Sequence, residues 1–195
     1  MPYEPPPELA ALSLAQIAEA VAARKLPPVG SWAPARVGDS EMRIAADGRW
    51  FHRGGEITRA AMVRAFSALL VRDPDRRHWL LSPFEKLAIE VEDAAFVATD
   101  LRVDLDAAGR STLAFRLNTD DLVIAGRDHA LRAAGDPDTP ALYLHVRRGC
   151  EARLNRSTYA QLIEHAIERA AGNVDAVEPL AVESGGARFA LVPPP

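Results

Sequence analysis

The chain has 195 residues, of which 48% are hydrophobic and 26% are charged, a balance typical of a folded globular protein. Its net charge of −4 does not favour nucleic acid as a partner, because nucleic-acid binders usually present a basic stripe. The single cysteine, Cys150, excludes an intramolecular disulfide. No signal-peptide pattern opens the chain and no apolar run is long enough to span a bilayer, so we expect a cytoplasmic protein with no membrane partner.

Residues 1–31 predict an N-terminal segment in two parts. Residues 1–7 are rich in proline and predict extended chain. The apolar spacing that follows predicts a helix over about residues 8–25, ended by Pro27 and Pro28. Either this helix packs on the main body, or it is a detachable arm for a partner, and both interpretations stay open.

Residues 32–100 predict a first α+β subdomain. Asp47 and Gly48 are typical of the turn of a hairpin, and the apolar stripe from Met62 to Leu70 is typical of a helix with one buried face. The predicted elements are strands at 41–45 and 49–52, a helix at 59–71, and strands at 78–81 and 87–92.

Residues 101–195 predict a second α+β subdomain. Alternating apolar residues on both sides of Gly109 indicate a hairpin. The first predicted element is a strand at 96–105, which crosses the boundary between the two subdomains. Strands at 111–118, 122–125 and 141–147, a helix at 156–171 and a last strand at 188–192 follow.

The starts of the two stronger helices are alike, which indicates an internal repeat. Each follows an aromatic strand and a turn with arginine and glycine, and each has a capping residue followed by arginine, at Thr58-Arg59 and Asn155-Arg156. Thr58 and Asn155 lie 97 positions apart, and both can cap a helix because a side-chain oxygen can accept from free amides. The predicted fold is therefore α+β, with two similar subdomains that each combine a mainly antiparallel sheet with one packed helix, plus the N-terminal helix.

Four segments carry a resemblance to a known family. They are Asp47–Phe51 with Ile57–Arg59, Ser82–Lys86 with Glu90–Asp93 and Phe96–Ala98, Phe115–Thr119, and His145–Arg147 with Glu151–Arg153 and Arg156. In this order they resemble the bacterial family known as domain of unknown function 1285, over about residues 32–192. The resemblance implies an α+β fold of two similar subdomains and no established activity, with ligand binding or signalling as the role suggested for such families.

The segment from Glu85 to Asp93 has an unusual pattern of charges. Strand alternation places Lys86, Glu90 and Glu92 on one face. Paired carboxylates can act as acid and base when their pKa values differ, and they can also hold a hard cation. A solvated strand face with arginine counter-ions explains the same pattern, so a structural role, ligand binding and catalysis all stay open.

Arg59 and Arg156 are each predicted at the first position of a helix, where the helix dipole disfavours a cation by about 0.3–1 kcal/mol. Two such placements indicate a compensating partner. One candidate is the acidic segment just described. The other is a bound anion, because free helix amides and a guanidinium together suit carboxylate or phosphate. Arg147 and Arg153 flank the second helix start and can join either arrangement.

No cofactor and no metal is predicted. None of the five histidines has a neighbour at zinc-ligand spacing, and neither a phosphate-binding glycine loop nor a nucleophile elbow occurs. Arginines at 147, 148 and 153 would lower the pKa of the Cys150 thiol if they were close in space. An ordinary half-buried cysteine is the simpler interpretation.

Three functional hypotheses follow. The first is a non-catalytic module with a signalling or regulatory role, which binds a small anionic ligand or a protein partner. Its candidate ligand-binding residues are Arg59, Lys86, Glu90, Glu92, Asp93, Arg147, Arg153 and Arg156. The second is a small hydrolase-like enzyme, which requires Glu85, Glu90 or Glu92 in a closed pocket without an arginine partner. The third is an assembly or scaffold protein, with the oligomeric state open and a homodimer as one option.

Overall fold

The computed structural model describes residues 9–171 and 179–193. Within these ranges the chain forms two six-stranded sheets, a separate two-stranded hairpin and three α-helices. None of the described helices is long and apolar enough to cross a membrane.

The N-terminal helix α1 is shorter than predicted and spans Leu14–Ala23. A 3-10 turn at Leu9–Ala11 precedes it, and a second 3-10 turn follows at Val29–Ser31. The helix begins after Ser13, whose Oγ accepts a hydrogen bond from the Gln16 amide while the Gln16 side chain accepts from the Ser13 amide. This reciprocal cap fixes the helix start.

The first sheet consists of two three-stranded meanders that meet at a parallel pair. Its strands are β1 (Arg36–Ile44), β2 (Trp50–His52), β3 (Gly55–Glu56), β4 (Leu70–Arg72), β5 (His78–Leu81) and β6 (Glu85–Val91). Their spatial order is β3-β2-β1-β6-β5-β4. The central strands β1 and β6 are parallel, and the other neighbours are antiparallel. Helix α2 (Ala60–Ser67) connects the two meanders.

The second sheet repeats this arrangement. Its strands are β7 (Phe96–Leu105), β8 (Ser111–Leu117), β9 (Leu122–Ile124), β10 (Leu131–Ala134), β11 (Ala141–Arg147) and β12 (Cys150–Leu154). Their spatial order is β10-β11-β12-β7-β8-β9, with β7 and β12 parallel at the centre. Helix α3 (Arg156–Ala171) follows β12, and strands β13 (Ala181–Ser184) and β14 (Ala187–Ala190) form the hairpin.

The prediction of two similar subdomains is confirmed, because in each sheet the first strand of one meander runs parallel to the last strand of the other. The equivalence drawn from the 97-residue spacing is wrong in detail. It matches β2 and β3, at the edge of the first sheet, with β11 and β12, which reach the centre of the second. The helices also differ in position, since α2 lies between two meanders and α3 follows both.

Helix α2 ends four residues before the predicted end. Leu70 is fully buried and pairs with Leu80 of β5, so the last part of the predicted helix is strand β4. The consecutive leucines Leu69 and Leu70 are compatible both with the apolar face of a helix and with a buried strand. Only the pairing with β5 decides between the two structures. The short strands β3, β10, β12 and β13 were not predicted, since two to five residues give too little alternation to detect.

One hydrophobic core extends across both sheets. It includes Trp50 of the first half and Phe96 and Phe115 of the second, and the Trp50 ring stacks on Phe66 of α2 at a centroid distance of 6.4 Å. Helix α3 adds Leu162 and other buried residues to the same core. Helix α1 lies on the outer side, where Ile17 packs against the second sheet, so the N-terminal helix is docked on the body.

Candidate functional site

The predicted ligand-binding residues do not form one site. Glu92 pairs with Arg43 and accepts a hydrogen bond from the Ala46 amide at 2.9 Å. Asp93 instead accepts from Arg153 at 2.6 Å and from another strand's tyrosine hydroxyl. The acidic segment is therefore divided between two separate ion pairs.

The acidic segment, one of the two candidate partners of the helix-start arginines, does not pair with them. Arg59 and Arg156 are both exposed, and neither forms an ion pair with another described residue. Arg59 is itself the N-cap of α2 and makes no side-chain capping bond, so the prediction of Thr58 as the cap is wrong. Asn155 does cap α3, because its Oδ1 accepts from the Thr158 amide at 2.8 Å.

The carboxylates that the enzyme hypothesis requires, Glu85, Glu90 and Glu92, are either exposed or paired with an arginine. Glu85 forms an ion pair with Arg36 at 2.7 Å, and Glu92 pairs with Arg43. Glu90 is exposed and lines a depression on the surface of the first sheet. Lys86 places its Nζ over the Trp79 ring, 4.2 Å from the centroid, rather than beside these carboxylates.

Arginines join the two halves along a surface that we call the seam, defined by Ser67, Ala68 and Arg72 of the first half and Arg147 and Arg148 of the second. Arg147 Nη2 donates to the Ser67 carbonyl at 3.2 Å, and Arg148 Nη1 donates to the Ala68 carbonyl at 2.7 Å. The Arg72 amide in turn donates to the Arg148 carbonyl at 2.9 Å. The guanidinium groups thus satisfy carbonyl groups at the end of α2.

Glu151 and the single cysteine, Cys150, lie next to the seam. Burial alone would raise the pKa of Glu151, but hydrogen bonding and charge from Arg132, together with Arg72, lower it. Burial raises the pKa of the Cys150 thiol to about 12 despite nearby arginines. The thiol is therefore neutral at physiological pH and is not an activated nucleophile.

A cavity of about 410 Å³ lies between α1 and the second sheet, next to the seam. Apolar side chains from α1, the segments before and after it, β9 and β11 form much of its wall: Leu12, Ala20, Val21, Leu26, Leu122, Val123 and Val146. Its volume lies within the range of small-molecule sites, which are mostly apolar with a few polar groups.

Two of the charged side chains that line the cavity, Arg24 and Arg147, converge on Asp121. This aspartate is 5% exposed, at the turn between β8 and β9. Arg147 Nη1 donates to its Oδ2 at 3.0 Å, and Arg24 Nη2 lies 2.7 Å from its Oδ1. Arg147 also places its guanidinium carbon 4.7 Å from the centroid of the Phe96 ring. Arg24 comes from the C-cap of α1, so this ion pair ties the helix to the sheet.

The charge around the cavity has an excess of cations. The cavity is lined by three arginines, Arg24, Arg116 and Arg147, and by two aspartates, Asp120 and Asp121. These five lining side chains together carry a formal charge of +1. Burial lowers the pKa of Arg24, and this outweighs the opposite effect of Asp121. The Arg24 side chain is 30% exposed, so its guanidinium is only partly withdrawn from water.

Three buried polar atoms of this cluster have no hydrogen-bond partner. They are Arg24 Nε, Arg147 Nε and Asp121 Oδ1, the last because the nearby Arg24 Nη2 is misaligned for a hydrogen bond. A buried donor without an acceptor costs about 1–3 kcal/mol. All three atoms are closed to the cavity, so the feature that suits an anion is the charge left over where two arginines share the one carboxylate of Asp121.

The sequence indicated only part of this site. Arg147 was among the predicted ligand-binding residues, but Arg24 and Asp121 were not. Arg24 reads as the ordinary basic end of an alanine-rich helix, and Asp121 as one of several polar residues in a turn. A second cavity, of about 650 Å³, includes the predicted residues Arg153 and Arg156 at the start of α3.

The fold and this site define a two-domain α+β protein with a duplicated meander sheet and arginine-rich contacts between its halves. Family models for the domain of unknown function DUF1285 match the chain, the N-terminal domain at residues 27–94 and the C-terminal domain at residues 95–191. The chain belongs to the DUF1285 family.

Two solved structures of the family are similar to this chain. A DUF1285 family protein from Silicibacter pomeroyi DSS-3 is 37% identical, with 93% of this chain and 96% of that chain covered and a TM-score of 0.76. A DUF1285 family protein from Shewanella baltica OS155 is 25% identical, with 63% of this chain and 90% of that chain covered and a TM-score of 0.50. The search of curated proteins gives no match.

Proposed function

We propose that the protein is a non-catalytic module that binds a small anionic ligand in the cavity beneath α1. The observation that carries this proposal is a pair of arginines that line the cavity, Arg24 and Arg147, and share the single carboxylate of Asp121. An anion in the cavity would accept from the Arg24 guanidinium, whose side chain is 30% exposed, and balance the remaining positive charge. A regulatory or signalling role is proposed as the use of such binding.

Several contacts support binding rather than catalysis. Glu85 and Glu92 are paired with arginines, and Glu90 is exposed, so none is a carboxylate in a closed pocket without an arginine partner. Cys150 is fully buried and has a raised pKa. At the cavity itself, Asp121 is held by two guanidinium groups, so it too has arginine partners.

A thermal-shift titration with sodium acetate and sodium phosphate tests the proposal, with sodium chloride at equal ionic strength as the reference. A ligand at about a hundred times its dissociation constant adds about 2.7 kcal/mol of stability, which raises the melting temperature visibly. We expect stabilisation of the wild type by at least one of these anions and loss of that effect in Arg24→Gln.

Arg36→Gln is the matched control. It removes the same charge from an exposed ion pair with Glu85, on the first sheet, away from the cavity. This variant should respond to anions like the wild type. Equal responses of Arg24→Gln and Arg36→Gln, or no response of the wild type beyond that to chloride, would contradict the proposal.

An assembly role is a second candidate, favoured by one surface feature. Val37 is 63% exposed and Phe84 is 79% exposed, and pairing of β1 with β6 brings them to the same end of the first sheet. Exposed apolar residues that lie together are typical of interaction surfaces. Sedimentation of the wild type and of Phe84→Ser distinguishes a self-associating protein from a monomer.

A further inference from the structure

We infer that the ligand of the cavity beneath α1 is an aliphatic carboxylate, with its head group at Arg24 and Arg147 and its hydrocarbon chain along the apolar wall. This inference rests on the proposed anion-binding function and names its ligand class. It depends on the charge, the wall and the size of the cavity, which are independent features of the structure.

The charge of the cavity suits a monoanion. The lining arginines exceed the lining aspartates by one charge, and a phosphate that carries nearly two negative charges would exceed this balance. Arg24 and Arg147 share the single carboxylate of Asp121, which leaves one positive charge, and the Arg24 side chain remains 30% exposed. A second carboxylate in the cavity can accept from the exposed part of the Arg24 guanidinium and neutralise that charge.

The wall of the cavity suits a hydrocarbon chain. Leu12, Val21, Leu26 and Leu122 are only partly buried, although all four line the space between α1 and the sheet. An inorganic anion would leave these apolar surfaces in contact with water. A chain that extends from the arginines along α1 would cover them, and burial of apolar surface is favourable.

The size of the cavity limits the chain. A volume of about 410 Å³ equals that of about 13 water-sized groups at about 30 Å³ each. A carboxylate with about ten carbons fills that space. Shorter acids leave part of the wall uncovered, and longer acids must extend past the open side of the cavity.

Isothermal titration calorimetry with the sodium salts of straight-chain acids from acetate to decanoate, below their micelle concentrations, tests the inference. Each added methylene should tighten binding about fourfold until the cavity is full. Octanoate should bind wild-type protein, and 1-octanol, which has the chain without the charge, should bind much more weakly. Arg24→Gln should weaken octanoate binding at least tenfold.

Ala20→Phe gives a second test that keeps the fold. Ala20 is exposed on α1 and lines the cavity, so a phenyl ring there should fill part of the space and weaken octanoate more than acetate. Ala22→Phe is the matched control, because Ala22 is exposed on the same helix and does not line the cavity. This control should bind octanoate like the wild type.

The outcomes separate the inference from the proposed function. If acetate and octanoate bind equally and Arg24→Gln abolishes both, the site binds anions and the aliphatic ligand class is wrong. If octanoate binds but neither Arg24→Gln nor Ala20→Phe changes its affinity, the chain binds elsewhere and the inference is overturned. If no anion binds, both the inference and the proposed function fail.

Discussion

The ion pairs of the first sheet and those next to the seam differ in their exposure to solvent. Arg53 donates to Glu41 at 2.6 Å, and the two side chains are 70% and 52% exposed. Arg147 donates to Asp121 at 3.0 Å, with the side chains 12% and 4% exposed. Exposed pairs contribute about 0–1 kcal/mol, whereas loss of one partner from a buried pair costs about 3–5 kcal/mol. An ion pair between arginine and a carboxylate thus contributes little to stability where it is exposed, in the first sheet, and much more where it is buried, next to the seam.

The largest expected effect comes from Arg147→Ala. The substitution removes the donors to Asp121 and Ser67 and leaves the buried Asp121 carboxylate with the Arg24 ion pair and the Thr119 hydroxyl. We expect a loss of about 3–5 kcal/mol in the free energy of unfolding, measured by urea denaturation.

Arg53→Ala provides the control for this measurement, and it should cost less than about 1 kcal/mol. Equal losses in the two variants would show that burial does not distinguish the pairs.

Alanine substitutions at two separate glycines, Gly149 and Gly54, test how closely the two halves of the protein approach each other. Gly149 has a φ of +75°, and a Cβ there would lie 2.7 Å from the Arg72 carbonyl oxygen across the seam. Gly54 has a φ of +81° with open space around it. Gly54→Ala should cost about 1–2 kcal/mol from backbone strain alone, and Gly149→Ala about 1–3 kcal/mol more because the seam must open. Urea denaturation of both variants measures the difference, and a difference of zero would argue against a tight seam.

The smallest expected effect concerns His78 of β5. Burial, followed by the charge of Arg72, lowers the pKa of His78 to about 4 from its usual 6.5. The unfolded chain therefore binds a proton that the folded protein does not between pH 6.5 and 4, and stability falls as pH falls through this window. Because the ring is partly exposed, we expect a contribution of only about 1 kcal/mol.

The test for His78 is urea denaturation at pH 7 and at pH 4.5. The loss of stability between these conditions should be smaller in His78→Gln than in the wild type, because the variant has no imidazole to protonate. An unchanged loss would mean that this side chain does not contribute to the acid sensitivity.

Local patterns predicted much of the fold. Alternation along β6, β7 and β8 and the cap at Asn155 are all properties of neighbours in sequence, and the structure contains them. The parallel pairing of β1 with β6 and the end of α2 at Ser67 depend on partners far along the chain. Hydrophobic periodicity along the sequence cannot reveal which distant strands pair. The sequence therefore indicated a repeat, but not which strands of the first sheet correspond to which strands of the second.

The candidate site was less predictable than the fold. Arg24, Asp121 and Arg147 come from the end of α1, a turn after β8 and the end of β11, and each is unremarkable within its own segment. Only the docking of α1 on the second sheet brings them together. The acidic segment was one candidate partner for Arg59 and Arg156, but its residues Glu92 and Asp93 pair with other cations that the fold brings closer, Arg43 and Arg153.

The most direct test of the central claim, that the arginines beneath α1 bind an anion, is a crystal structure of the protein grown with 6-bromohexanoate. We expect the anomalous signal of bromine in the apolar part of the cavity, with the carboxylate within hydrogen-bond distance of Arg24 or Arg147. A cavity that holds only ordered water beside Arg24 and Arg147, with bromine absent or bound elsewhere, would contradict the claim.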